Sequence, residues 1–198
     1  MKKENIRWAT KLYGVSCIAG IVGIFTYLSV AVLISMFVTT EQTQGAGILT
    51  VTNLVTFVLQ AILFYILIYT RMYELGYKNN NAVQFGRMNA DPLRGLKIGA
   101  MAAIPSVISF LVLIADKVFG LWERTAMVYR LCHAAVYPVM VWTMGTALST
   151  TTASLSWGAV LCAGIPVLFL PTVATLGYYL GFRRVEVWNN IVFVRKKK

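Results

Sequence analysis

The chain has 198 residues, of which 58% are hydrophobic and only 13% charged. Soluble domains average about 45–50% apolar and about 25% charged residues, so a soluble enzyme, a disordered chain and a disulfide scaffold are all excluded. Eighteen Lys and Arg stand against seven Asp and Glu, a formal charge of +11; this excess lies outside the apolar segments and reads as membrane topology, with no nucleic-acid partner implied.

Lys2, Lys3, Arg7 and Lys11 precede the first apolar segment, residues 12–38, which exceeds the about 20 residues that a bilayer crossing needs. Its small residues pair as Ser16 with Gly20 and Ala19 with Gly23. Such spacing lets helix backbones approach closely, for internal packing or for docking a partner subunit. Residues 39–46 carry no basic residue. The second segment, residues 47–69, places Asn53, Thr56 and Gln60 at i, i+3 and i+7, which is one helix face. Amides in a bilayer seek partners, so this stripe is expected to bond between helices or to touch a small polar molecule.

Residues 71–97 form the longest polar connection, with Arg71, Lys78, Arg87, Arg94 and Lys97. Asp91-Pro92 reads as the cap and first residue of a helix running into the third segment. Arg87, Arg94 and Lys97 then gather near a helix start, a favourable place for a lipid phosphate, although ordinary cytoplasmic anchoring would need the same residues. Gly95, Gly99 and Ala103 repeat the small-residue spacing. The third segment, residues 98–115, is the shortest and contains Pro105. The fourth, residues 128–148, holds the single histidine, His133, beside Arg130. A ligand role for His133 competes with a plain structural hydrogen bond. The fifth, residues 157–181, contains Pro166, Pro171, Gly177 and Gly181 and leads into the basic tail 182–198.

The basic flanks put the N-terminus, the 71–97 loop and the tail in the cytoplasm. Five full crossings would instead separate the two ends. Either one proline-bearing segment fails to cross fully, or the basic tail lies outside, or a sixth crossing is hidden; an incomplete crossing by residues 98–115 is the expected one. A faint internal similarity agrees with this. Leu75-Gly76-Tyr77-Lys78 follows the second segment, and Leu180-Gly181-Phe182-Arg183 follows the fifth. In the tail, Val185-Glu186-Val187-Trp188 and Ile191-Val192-Phe193-Val194 flank Asn189-Asn190, which reads as a small β-hairpin at the membrane surface.

The expected fold is therefore one all-α integral membrane domain over residues 1–198. It has four or five crossings, one of them broken or re-entrant, and a small cytoplasmic β-hairpin. No acidic residue lies inside an apolar segment, which argues against proton coupling by an intramembrane carboxylate. Cys17, Cys132 and Cys162 are far apart and read as packing residues, with no metal or cofactor implied. In size and polytopic character the chain is similar to the substrate-binding subunits of energy-coupling-factor vitamin transporters, a likeness of architecture alone. The expected function is a non-enzymatic binding or accessory subunit of a larger transporter-type membrane complex, located in a bacterial cytoplasmic membrane. Alternatives are a lipid-headgroup-binding, lipid-modifying or lipid-moving protein, and a self-assembling pore. The expected partners are anionic headgroups and either a second protein or another copy of the chain.

Overall fold

All five prolines lie after residue 91, and helix length follows from that. Proline lacks the N–H that an interior helical turn requires and clashes with the preceding turn. In the computed structural model, which describes residues 2–37, 45–122, 124–145 and 151–185, the proline-free part forms two long rods. The first is α1 (Lys2–Phe37). The second joins α2 (Gly45–Phe64) to α3 (Thr70–Gln84) through a π-helical turn at Tyr65–Tyr69. The proline-bearing remainder is shorter and broken: α4 (Arg94–Ala102), α5 (Ile104–Phe119), α6 (Thr125–Cys132), α7 (Tyr137–Met144), α8 (Trp157–Cys162) and α9 (Ile165–Phe182). Among the described residues there is no strand. The β-hairpin expected over residues 185–194 lies outside the described residues except for Val185.

Three helical stretches are long and apolar enough to cross a membrane: Lys3–Met36, Leu49–Gln84 and Trp157–Phe182. The pair α4 and α5, bent by 47°, passes the same test only when taken together and makes a fourth candidate span. The bend sits where Pro105 withholds its N–H; Ala103 closes α4 by donating to Gly99 O at 3.0 Å. The 71–97 connection is far less of a loop than its polarity suggests. Helix α3 continues to Gln84 and α4 begins at Arg94, because the amphipathic part of α3 packs along α9. Helix α4 also starts three residues later than Asp91. The Asp91 carboxylate accepts from Lys97 Nζ at 2.7 Å, so it does not cap the helix.

Side-chain pairings fix the direction of each element. At one face of the bundle, Trp8, Lys11 and Val15 of α1 share a cavity wall with Arg71, Glu74 and Lys78 of α3. The start of α4 joins them, through Arg94 on Asn5, and so does the end of α9, where Arg184 donates to Gln84 at 2.7 Å. At the opposite face the end of α5 meets the start of α8: Lys117 Nζ donates to Ala153 O and Leu155 O at 2.8 and 2.7 Å. Thus α4 and α5 together run from one face to the other. An incomplete crossing is expected of residues 98–115; among the described residues the pair of helices that fold back on each other is α6 and α7, Thr125–Met144. Helix α6 enters from the far face and breaks at His133. A 3-10 turn at Ala134–Val136 follows, and α7 returns. Its outward course is set by contacts of Ala135 and Val136 beside Gln60 and Phe64, and then of Trp142 beside Phe57, nearer the start of α2. Arg130 Nη2 donates to Met144 O at 2.8 Å and ties the two arms together. The reason for the turn is again proline. Pro138 has no N–H for Ala134 O, which accepts from Tyr137 N–H instead.

With α4 and α5 counted as one span, four candidate spans and the hairpin of α6 and α7 return the chain to its starting face. Close glycine contacts hold the half of the bundle near that face. Helices α3 and α9 lie side by side and parallel, with Gly76 against Tyr178 and Phe182, and Gly181 and Gly177 against Tyr73 and Tyr69. The two similar strings Leu75–Lys78 and Leu180–Arg183 therefore meet at one level of the fold. Gly95 and Gly99 of α4 press on the other side of α9, at Tyr178, Ala174 and Pro171. The three cysteines, expected as packing residues, are all exposed.

Candidate functional site

Arg87, Arg94 and Lys97 of the near face do not converge. Arg94 is buried at 1% exposure, with Nε donating to Asn5 Oδ1 at 2.8 Å and Nη2 lying 2.8 Å from Glu4 Oε2. Lys97 is paired with Asp91, and the Arg87 guanidinium lies over the Phe85 ring at 5.8 Å. Arg94 thereby acts as a clamp between α1 and α4, with its charge met inside the protein. Beside it the Tyr178 hydroxyl donates to Asp91 O at 3.2 Å and accepts from Asn79 Nδ2 at 3.0 Å. The connection 85–93 is thus fastened to α9.

The polar stripe of α2 lies deeper. Asn53, Thr56 and Gln60 are 1%, 0% and 3% exposed. Thr56 Oγ1 donates to Thr52 O at 2.7 Å, so its hydroxyl is used within its own helix. Gln60 Nε2 donates across to Gly23 O at 3.3 Å. Gly23 is what permits this, since a Cβ there would sit 2.9 Å from Nε2 and 3.0 Å from Ala134 O. Gly20, one turn earlier, lies against Ala134 and Ala135. The small-residue face of α1 is therefore filled at Gly20 and Gly23 by the hairpin tip and Gln60. Ala19 is fully buried beside it, and Ser16 is half-buried.

His133 sits at the break in α6, buried, with its ring 4.3 Å from that of Tyr129. Its Nδ1 is 3.1 Å from Tyr129 O. A carbonyl can only accept, so Nδ1 carries a proton, and in the neutral ring Nε2 holds the lone pair. Among the described residues that Nε2 has no hydrogen-bond partner, and neither do the buried Asn53 Oδ1 and Gln60 Oε1. Leaving such an acceptor unmade costs about 1–3 kcal/mol.

Gln60 also lines a cavity of about 260 Å³ between α2, the hairpin tip and α9. Phe57, Phe64, Ala135, Val136, Phe169 and Val173 wall it, and Tyr65 and Tyr69 of the π turn continue it towards the near face. From Phe57 to Tyr69 it follows the helix for about 18 Å. Its rim includes Leu176 and Tyr65, which are 52% and 45% exposed on the outer surface of the bundle, so the cavity is a groove open sideways. Non-helical backbone at membrane depth survives only where protein buries it or where it lines a cavity. The hairpin tip meets both conditions.

Two parts of this groove were missed in the sequence. The π turn has no residue signature of its own, although Tyr65, Tyr69 and Tyr73 at four-residue spacing do announce a tyrosine ladder. Their rings stack at 4.9 and 6.1 Å. The tip residues Ala135 and Val136 look like any apolar pair until the hairpin turns. Among the described residues no group of His, Cys, Asp and Glu is arranged to hold a metal ion. No protein-family model, curated protein or solved structure matches the chain.

Proposed function

We propose that this chain is a non-enzymatic, multi-pass membrane subunit that binds an elongated apolar molecule entering sideways from the bilayer, as the binding component of a larger membrane complex. One observation carries this reading. A hairpin tip, a π-helical turn and a buried glutamine all border one groove, and that groove opens on the outer surface of the bundle. Irregular backbone in a helical bundle is costly, and π turns are frequent at functional sites. Binding sites are typically apolar clefts with few polar groups, and this groove fits that description. The near face, with its basic flanks, is assigned to the cytoplasm. The headgroup reading of Arg87, Arg94 and Lys97 has less support, because Arg94 and Lys97 already hold carboxylate partners.

The test is to purify the protein in mild detergent and identify the extracted apolar molecules by mass spectrometry, alongside the variant Ala61→Trp. Ala61 is exposed on the groove wall, so an indole there fills the groove without entering the core. A discrete molecule that accompanies the wild type and is absent from the variant is expected. Identical extracts from both proteins would overturn the proposal.

A further inference from the structure

The two long rods bring their innermost charges to one place. No Lys, Arg, Asp or Glu occurs between Lys11 and Glu41, or between Glu41 and Arg71. Lys11 and Arg71 therefore mark where α1 and the rod of α2 and α3 leave the apolar layer on the basic face. Both line a cleft of about 170 Å³ between α1 and α3. The buried Leu12 and Leu75 form its inner wall, and Trp8, Glu74 and Lys78 line it as well. Three cations face one carboxylate, so the cleft carries an excess of positive charge. Lys78 Nζ lies 3.9 Å from Glu74 Oε2, and Lys11 Nζ lies over the Trp8 ring at 5.5 Å. Among the described residues neither Lys11 nor Arg71 has a carboxylate partner, unlike Arg94 and Lys97, whose charges are matched by Glu4 and Asp91.

An arginine fork pairs with two phosphate oxygens at once, and a lysine beside it adds a point charge. Lys11 and Arg71 are both exposed, and such long stems let the charged heads close on an anion without moving a helix. At the border of the apolar layer, the anions within reach are lipid phosphates. The apolar inner wall gives an acyl chain a surface to lie against.

We infer that the cleft between α1 and α3 is a binding site for a net-negative phosphodiester at the membrane surface, held by Lys11 and Arg71. The site is separate from the groove and goes beyond it. The same rod turns Tyr69 and Tyr73 towards α9, and Arg71, Glu74 and Lys78 towards α1. Glu74 works against the anion, because like charges repel.

The experiment is native mass spectrometry of the full chain in a neutral detergent, titrated with dioleoylphosphatidylglycerol or with dioleoylphosphatidylcholine. The first phosphatidylglycerol is expected to bind about tenfold more tightly than phosphatidylcholine, whose quaternary ammonium cancels the negative charge. Lys11→Gln combined with Arg71→Gln should remove that preference, and Glu74→Gln should widen it about twofold. Arg87→Gln combined with Arg183→Gln removes the same charge from the same face but outside the cleft, and should leave the preference intact. Every residue substituted is exposed, so none of these changes touches the core. Glycerophosphoglycerol, the same headgroup without acyl chains, then decides the source of the phosphodiester. Lipid that stays bound in its excess identifies a membrane lipid as the occupant, and displaced lipid a soluble phosphodiester; both results support the site. Equal binding of the two lipids by the wild type would overturn the inference. Equal loss of preference in the two double variants would also overturn it, by showing that only the diffuse charge of the face is at work. Neither result bears on the groove.

Discussion

A methyl group added at Gly181 would run into the carbonyl of Tyr73, with its carbon at 2.7 Å; one added at Gly76 would meet Phe182 N at 2.7 Å. Both obstacles are backbone, which cannot rotate aside. Gly181→Ala is therefore expected to push α9 off α3 and to destabilise by about 1–3 kcal/mol, visible as a lower melting temperature in detergent. Gly14 provides the control. It has nothing within 4 Å and stands inside α1, so Gly14→Ala should leave the melting temperature unchanged or raise it slightly. If the two variants melt together, close glycine packing is not what holds these helices. Arg94 gives a second residue-level expectation with a less obvious sign. Glu4→Ala strands a buried guanidinium, whereas Arg94→Met removes the buried charge altogether. Losing one partner of a buried pair is the costlier change, tempered here because Glu4 is half exposed. Glu4→Ala should accordingly lower the melting temperature more than Arg94→Met does, and the reverse order would refute the clamp.

At the scale of elements, the hairpin of α6 and α7 is the feature that determines how many times the chain crosses. Arg124 precedes α6 and Ser154 follows α7, and both are exposed. With Cys17, Cys132 and Cys162 replaced by serine, Arg124→Cys and Ser154→Cys should react with a membrane-impermeant maleimide from the same side. Labelling from opposite sides would mean that residues 128–148 cross after all. How much of this was legible in the sequence depends on what carries each signal. The existence of apolar segments is written in composition, and the basic flanks already demanded an even number of crossings. Which segment turned back was not readable, because Pro105 and Pro138 look equivalent in one dimension. Their outcomes differ for tertiary reasons. Gly20 and Gly23 leave room on α1 for the tip at Ala134 and Ala135, while α4 and α5 end beside α8 and are pulled through by Lys117. The stripe Asn53, Thr56 and Gln60 was visible from its period. That Gln60 alone would border a groove was not, since the groove's other walls come from residues more than seventy and a hundred positions away.

For the molecule as a whole, the four spans and the hairpin sort the charge by face. Of the described Lys and Arg, only Lys117, Arg124 and Arg130 belong to the face where α5, α6 and α8 meet; the rest lie at the start of α1, along and just after α3, at the start of α4 and after α9. Basic residues close to the ends of spans are retained on the cytoplasmic side, so this asymmetry should orient the whole bundle. Fusions of a fluorescent protein that matures only in the cytoplasm are expected to glow at either terminus, whereas a periplasmic phosphatase fused after Ser154 should be active. A dark C-terminal fusion beside a bright N-terminal one would restore an odd number of crossings. Bright phosphatase activity at both termini would turn the bundle over, and the groove with it. The direction matters for binding because Tyr65 and Tyr69 lie towards the basic face and Phe57 away from it. With the basic face inward, the end of the groove nearest Gln60 and Phe57 is the one directed to the outer leaflet. An elongated occupant of the groove would run from Phe57 along Tyr65 and Tyr69 towards the basic face.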